Sequence, residues 1–211
     1  MKSISCGMGP TCPKACRDKF PQAQTVVDKF HVVQYVYDAV AEVRLRMRKE
    51  LAEQLSKGKH KTGKDKEILS DIEMLRRSRH LLSQSVGKWS EAGKELASRI
   101  FQKHGELKTA CHLSQDFKRR HDIGNAAQHR IYIEEDMLNW HDKVKTAKVK
   151  EFKQMVKMIG KHETEIVNFF DSGHTNAKAE RLNGKIQRFV SNNYGMEDKD
   201  FALYRIAGYF S

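Results

Sequence analysis

The stretch Thr25-Val26-Val27-Asp28-Lys29-Phe30-His31-Val32-Val33 changes period half-way along. Its first three residues are a β-branched run that suits a buried strand. From Phe30 onward Val33, Val36, Val40, Val43, Met47 and Leu51 recur at spacings of three and four, one face of a long helix. Asp28 and His31 therefore sit where a strand gives way to a helix, the place at which open α/β sheets gather functional groups. Two roles fit Asp28 equally: a metal ligand that His31 contacts or positions, or the cap of a helix starting near Lys29 with His31 in its first turn. Upstream, Ser3-Ile4-Ser5-Cys6 is a second short strand, and Gly7 to Pro13 is rich in breakers. A helix from Pro13 to Phe20, stopped by Pro21, joins the two strands. Strands linked in this way lie parallel.

Downstream the pattern is helical almost throughout. Ser56 to Lys64 reads as a basic, Gly-punctuated loop. Beyond it, Ile68, Ile72, Leu75, Leu82 and Val86 make one stripe, and Trp89, Leu96 and Ile100 a second. Leu107, Ala110 and Phe117 follow, then Ile131 and Leu138, then Val144, Phe152, Met155 and Ile159. Helical stripes of this kind are packing surfaces far more often than cofactor boxes. Gly173 punctuates the end of the series, a further helix runs from about Thr175 or Asn176 to Asn192, and Asp200 is placed to cap a last one. The fold class is mainly α with a small α/β part of about two parallel strands.

The chain has 211 residues, 39% of them hydrophobic and 31% charged, with 13 Gly and 3 Pro. So few breakers exclude a loop-rich β-sandwich, and without a run of about 18 apolar residues a transmembrane helix is not expected. A cytoplasmic location is the default, since no signal-peptide core follows Met1-Lys2. Against 27 Asp+Glu stand 39 Lys+Arg, a net charge of +12. That excess fits a polyanion such as nucleic acid, although a solvated basic surface has the same composition. Cys6, Cys12, Cys16 and Cys111 lack the spacing of a zinc site and are expected to be reduced, packed thiols. The histidines form no metalloprotease pair, and neither a phosphate-binding loop nor a nucleophile elbow is present.

The helix over 176–190 carries three stripes. Ala179, Leu182, Ile186 and Phe189 are apolar and should face a core. Lys178, Arg181, Lys185 and Arg188 are basic; Asn176, Glu180, Asn183 and Gln187 are polar with a single acid. A carboxylate among amides beside a row of cations suits a divalent metal next to a phosphate backbone. From spacing alone the commoner outcome is a surface Glu180 paired with Arg181 or Lys185.

Phe20-Pro21-Gln22-Ala23, Val27-Asp28-Lys29-Phe30-His31-Val32-Val33 and Ala39-Val40-Ala41-Glu42-Val43-Arg44 together resemble one block of the bacterial insertion-sequence DDE transposases with an Asp-x-Phe-His signature. Thr175-Asn176-Ala177-Lys178-Ala179-Glu180-Arg181-Leu182-Asn183-Gly184-Lys185-Ile186 resembles the second block, with Tyr194-Gly195 and Phe201 to Arg205 after it. The resemblance implies a partial RNase H-like domain interrupted by a large helical insertion. Residues 1–50 would be the α/β segment and following helix, 51–172 the insertion, and 173–211 the helices completing the domain. Such enzymes hold two Mg²⁺ (or Mn²⁺) ions on three carboxylates for strand cleavage and transfer in DNA. Glu180 matches the third acid, and Asp28 and His31 match an auxiliary pair, Asp28 being a further candidate ligand. Lys178, Arg181, Lys185, Arg188, Asn176 and Asn183 would face DNA.

Two departures from the family pattern accompany this match. The strands carrying the first acid are not in the chain, and Gly7-Met8 stands where the second acid is expected after the strand ending in Ser5-Cys6. The resemblance thus implies a C-terminal portion of a transposase that does not cut DNA alone. Its exposed sheet edge would favour self-association or pairing with an intact transposase. The alternative is a helical nucleic-acid-binding protein without enzymatic activity. A membrane partner is not expected.

Overall fold

The structure is a computed structural model that describes residues 3–9, 11–57, 62–123, 130–172, 177–193 and 198–210; residues 11–13, 62, 121–123, 130, 170–172 and 177–180 are described as backbone only. The β-branched run becomes a strand because its side chains pack on both faces. Ser3–Cys6 (β1) and Gln24–Val27 (β2) pair in parallel, with Cys6 opposite Val27. Thr11–Lys19 (α1) crosses between them and packs on both strands. Val26 and Val27 are fully buried. Among the described residues the sheet holds these two strands, so the chain is mainly α with a small α/β part.

Lys29–Lys57 (α2) is the central helix. The expected stripe is its core face: Val36, Val40, Val43 and Met47 are buried, and Val33 and Leu51 pack beside them. Thr62–Arg77 (α3), Glu91–Lys103 (α4), Gly105–Ile123 (α5), Arg130–Ala147 (α6), Lys150–Lys161 (α7) and Glu163–Ser172 (α8) build the rest of the bundle. α2 packs on α3, α5 and α7, while α8 covers β2. Asn168 on α8 donates to the Thr25 carbonyl at 2.9 Å, and Glu165 takes a 2.5 Å bond from Arg17 of α1. A charged hub adds to this packing. Arg46 of α2 donates to Glu106 of α5 and Glu151 of α7, both at 2.7 Å, and to Glu50 at 3.3 Å. Those bonds, led by the one to Glu151, hold its guanidinium firmly protonated. Ala177–Asn192 (α9) and Lys199–Phe210 (α10) follow. The chain divides into two compact units, Met1–Gly173 and His174–Ser211.

Several elements differ from the sequence expectation. Ser56, Lys57, Thr62, Gly63 and Lys64 are helical, which leaves residues 58–61 of the expected loop outside the described residues. The stripe ending in Leu82 and Val86 is not one helix: α3 stops at Arg77, turns follow, and Val86–Lys88 is a short 3₁₀ turn with Val86 42% exposed. α6 buries Ile133, Met137, Trp140 and Val144, and leaves Ile131 and Leu138 exposed at 73% and 59%. The sequence holds two interleaved stripes on this helix, and Trp140 selects one of them. Its ring lies 4.6 Å from that of Phe117, and its indole N–H donates to the Leu113 carbonyl at 3.0 Å. Val144 and Phe152 lie on separate helices, because Lys148 takes a positive φ of 57° that ends α6. α10 is capped by Asp198 rather than Asp200: the Asp198 carboxylate accepts from Phe201 N at 2.7 Å, and Asp200 falls inside the first turn. Gly173, Thr175, Tyr194 and Gly195 lie outside the described residues.

Candidate functional site

The parallel ladder ends in a small polar cluster. Asp28 N donates to the Cys6 carbonyl at 3.2 Å, extending the β1–β2 pairing by one residue. The Asp28 side chain then turns back and accepts from Phe30 N at 2.7 Å, while its carbonyl receives His31 N at 3.1 Å. Asp28 is therefore the N-cap of α2, at only 4% exposure. His31 stands in the first turn, and its ring lies over the end of β1. A Cβ built on Gly7 would meet the His31 Cδ2 and Nε2 atoms at 3.6 Å, an ordinary contact distance. Gly7, Asp28 and His31 thus share one strand end. Cys6 is buried at that end, and Cys16 is buried in α1. Cys111 lies elsewhere, in α5, where burial pushes its thiol up to about 12 and removes thiolate reactivity at neutral pH.

The second set of site residues lies on α9, in the other compact unit. Glu180 and Lys178 fall in its first turns, with their side chains outside the described part, and Asn176 lies outside the described residues. Arg181, Lys185 and Arg188 of the basic stripe and Asn183 of the polar one are exposed. The apolar stripe is covered less than its pattern led one to expect. Leu182 is 46% exposed, and Ile186 and Phe189 are half-buried.

Sequence reasoning missed the surface that forms where α10 meets α9. Arg205 and Tyr209 of α10 join Lys185, Arg188 and Phe189 of α9 around a groove of about 890 Å³. The Phe189 and Tyr209 ring centres lie 4.5 Å apart with the planes tilted by 33°, and the Arg205 guanidinium lies 5.7 Å from the Phe189 ring centre. The aromatic content of the last helix was visible, but not its partner.

Among the described residues, no group of three or more His, Cys, Asp or Glu side chains is arranged to hold a metal ion. Asp28 and His31 offer two donors at the strand end, and one Asp28 oxygen is engaged as the cap. This donor set does not fit a two-metal centre.

A family model described as Transposase, for DDE enzymes of the ISL3 type, matches residues 1–206. The chain belongs to this transposase family. No curated protein and no solved structure matches it. Among the described residues no helix is long and apolar enough to cross a membrane.

Proposed function

We propose that the chain is the C-terminal portion of an insertion-sequence transposase that binds DNA through its basic surface and does not cleave DNA by itself. The observation that carries this reading is Gly7. It stands at the end of β1, beside the ring of His31, at the position where the family pattern expects an acid. A hydrogen side chain cannot ligate a metal. Glu180 and Asp28 remain as candidate Mg²⁺ or Mn²⁺ ligands, with His31 positioning Asp28; they are too few for the chemistry of the intact family. The two-stranded parallel sheet supports the same conclusion. Parallel sheets are ordinarily larger and covered on both faces, so this one is a partial RNase H-like sheet to which further strands would add. The division into an α/β segment (1–50), a helical insertion (51–172) and closing helices (173–211) follows from that reading.

DNA contact is assigned to Arg181, Lys185, Arg188 and Asn183, with Lys178 and Asn176 extending the row, at a net charge of +12. The sheet, which has no third strand among the described residues, and the exposed apolar residues of the second unit support self-association or assembly with an intact transposase in the cytoplasm. The test is incubation of the purified chain with labelled transposon-end DNA and Mg²⁺ or Mn²⁺, with binding followed in parallel. Binding that weakens steeply with salt, without nicking or joining, is the expected result. Strand cleavage that disappears in Glu180→Gln would overturn the inactivity, and absence of binding at low salt would overturn the DNA assignment.

A further inference from the structure

The groove between α9 and α10 has a chemistry that the basic stripe alone does not explain. Lys185, Arg188 and Arg205 supply three cations, while Phe189, Tyr209 and Phe210 supply three rings, and none of the described residues lining it is acidic. These rings are not an ordinary buried cluster. Tyr209 packs one face on Phe189 at 4.5 Å and meets the Phe210 ring edge-on at 4.9 Å, yet it remains 67% exposed. Most of the phenol surface is therefore open at the groove. Arg205 is held beside it, its guanidinium 5.7 Å from the Phe189 centre and 5.9 Å from that of Phe201. Asn193 fixes both elements: its amide donates to the Phe189 carbonyl at 2.6 Å, and its oxygen accepts from Arg205 at 3.1 Å.

A duplex presents phosphates to cations, but its base faces are stacked and closed. A row of cations next to an exposed aromatic ring is instead the pattern that binds unpaired strands, where phosphates pair with Lys and Arg while a base stacks on the ring. We infer that the α9–α10 groove is a binding site for an unpaired nucleotide of a DNA strand, with Tyr209 as the stacking platform and Arg188, Lys185 and Arg205 on the adjoining phosphates. This rests on the proposed DNA-binding function and narrows it to the strand state recognised. The volume of about 890 Å³ accommodates a nucleotide together with its flanking phosphates.

The test uses the full chain and fluorescein-labelled oligonucleotides of one sequence, single-stranded and as a duplex, at matched salt. The single strand is expected to bind about tenfold more tightly, the discrimination that one stacked base supplies. Tyr209→Ala should remove that preference while leaving duplex affinity unchanged, and Tyr209→Phe should keep it. In the unaltered chain, 2-aminopurine within the single strand should be quenched on binding, a readout that needs no variant. Equal affinity for both strand states, or a preference that survives Tyr209→Ala, overturns the inference and leaves the DNA-binding function standing. Binding to neither overturns both.

Discussion

The two compact units contrast in how they treat apolar side chains. The first buries Trp140, Phe117, Phe152, Leu75 and Ile100 at under 2% or at 2% exposure in one continuous core. In the second, no described side chain is buried, and Phe201, Leu203, Tyr204 and Tyr209 are 49–78% exposed. A pair of helices has too little surface to enclose a core of its own. The first unit is thus held by packing, whereas the second leaves aromatic and basic groups exposed.

The largest effect should come from Trp140→Ala. It removes a side chain at 1% exposure together with its bond to the Leu113 carbonyl, and is expected to cost about 3–5 kcal/mol in urea unfolding. A cost below ~1 kcal/mol would mean that the bundle core is not close-packed, and the contrast would collapse. Next comes Asp28→Ala, which deletes the cap of α2 and should cost about 1 kcal/mol, whereas Asp28→Ser should recover most of that loss. Failure of serine to rescue would show that the carboxylate contributes through its charge and not as a cap.

Acid supplies a third probe. His104 and His141 are held below the ordinary imidazole range chiefly by burial, and an imidazole nitrogen of each is buried with no hydrogen-bond partner among the described residues. Because their folded values are depressed, the unfolded chain binds more protons. Stability from this source is complete above about pH 6.5 and is lost as pH falls below it. Urea midpoints measured between pH 7.5 and 5.5 should decline, and the decline should be shallower in His104→Gln. An unchanged slope would remove His104 from the account. The smallest effect is expected for Leu182→Gln in the second unit, within about 0.5 kcal/mol because the side chain is already 46% exposed. A loss as large as that of Trp140→Ala would show that the second unit is stabilised by burial after all.

The strands and α2 were legible because their signals are local: a β-branched triplet, then a clean three-and-four spacing with an aspartate at the junction. The same holds for the two blocks that identify the family. Both are contiguous stretches, and both lie within residues 1–206 that the transposase model matches. Less legible were the features for which the sequence offers two equivalent answers. Asp198 and Asp200 are both good caps, and only the position of Phe201 N selects the first. On α6, Ile131 with Leu138 and Ile133 with Met137 are both helical spacings; the ring of Phe117, on another helix, decides between them. The break at Lys148 carries neither Gly nor Pro to announce it.

The candidate site divides along the same line. Sequence alone determined that Asp28 and His31 lie at the junction of a strand and a helix and that α9 carries a basic row, since each is a matter of residue type and spacing within one segment. Only the tertiary structure brought the His31 ring over Gly7 at the end of β1 and set Tyr209 and Arg205 against Phe189. The physical reason is that periodicity fixes the direction of a side chain within its own helix or strand, whereas the element it meets is chosen by which pairing buries more surface and satisfies more hydrogen bonds.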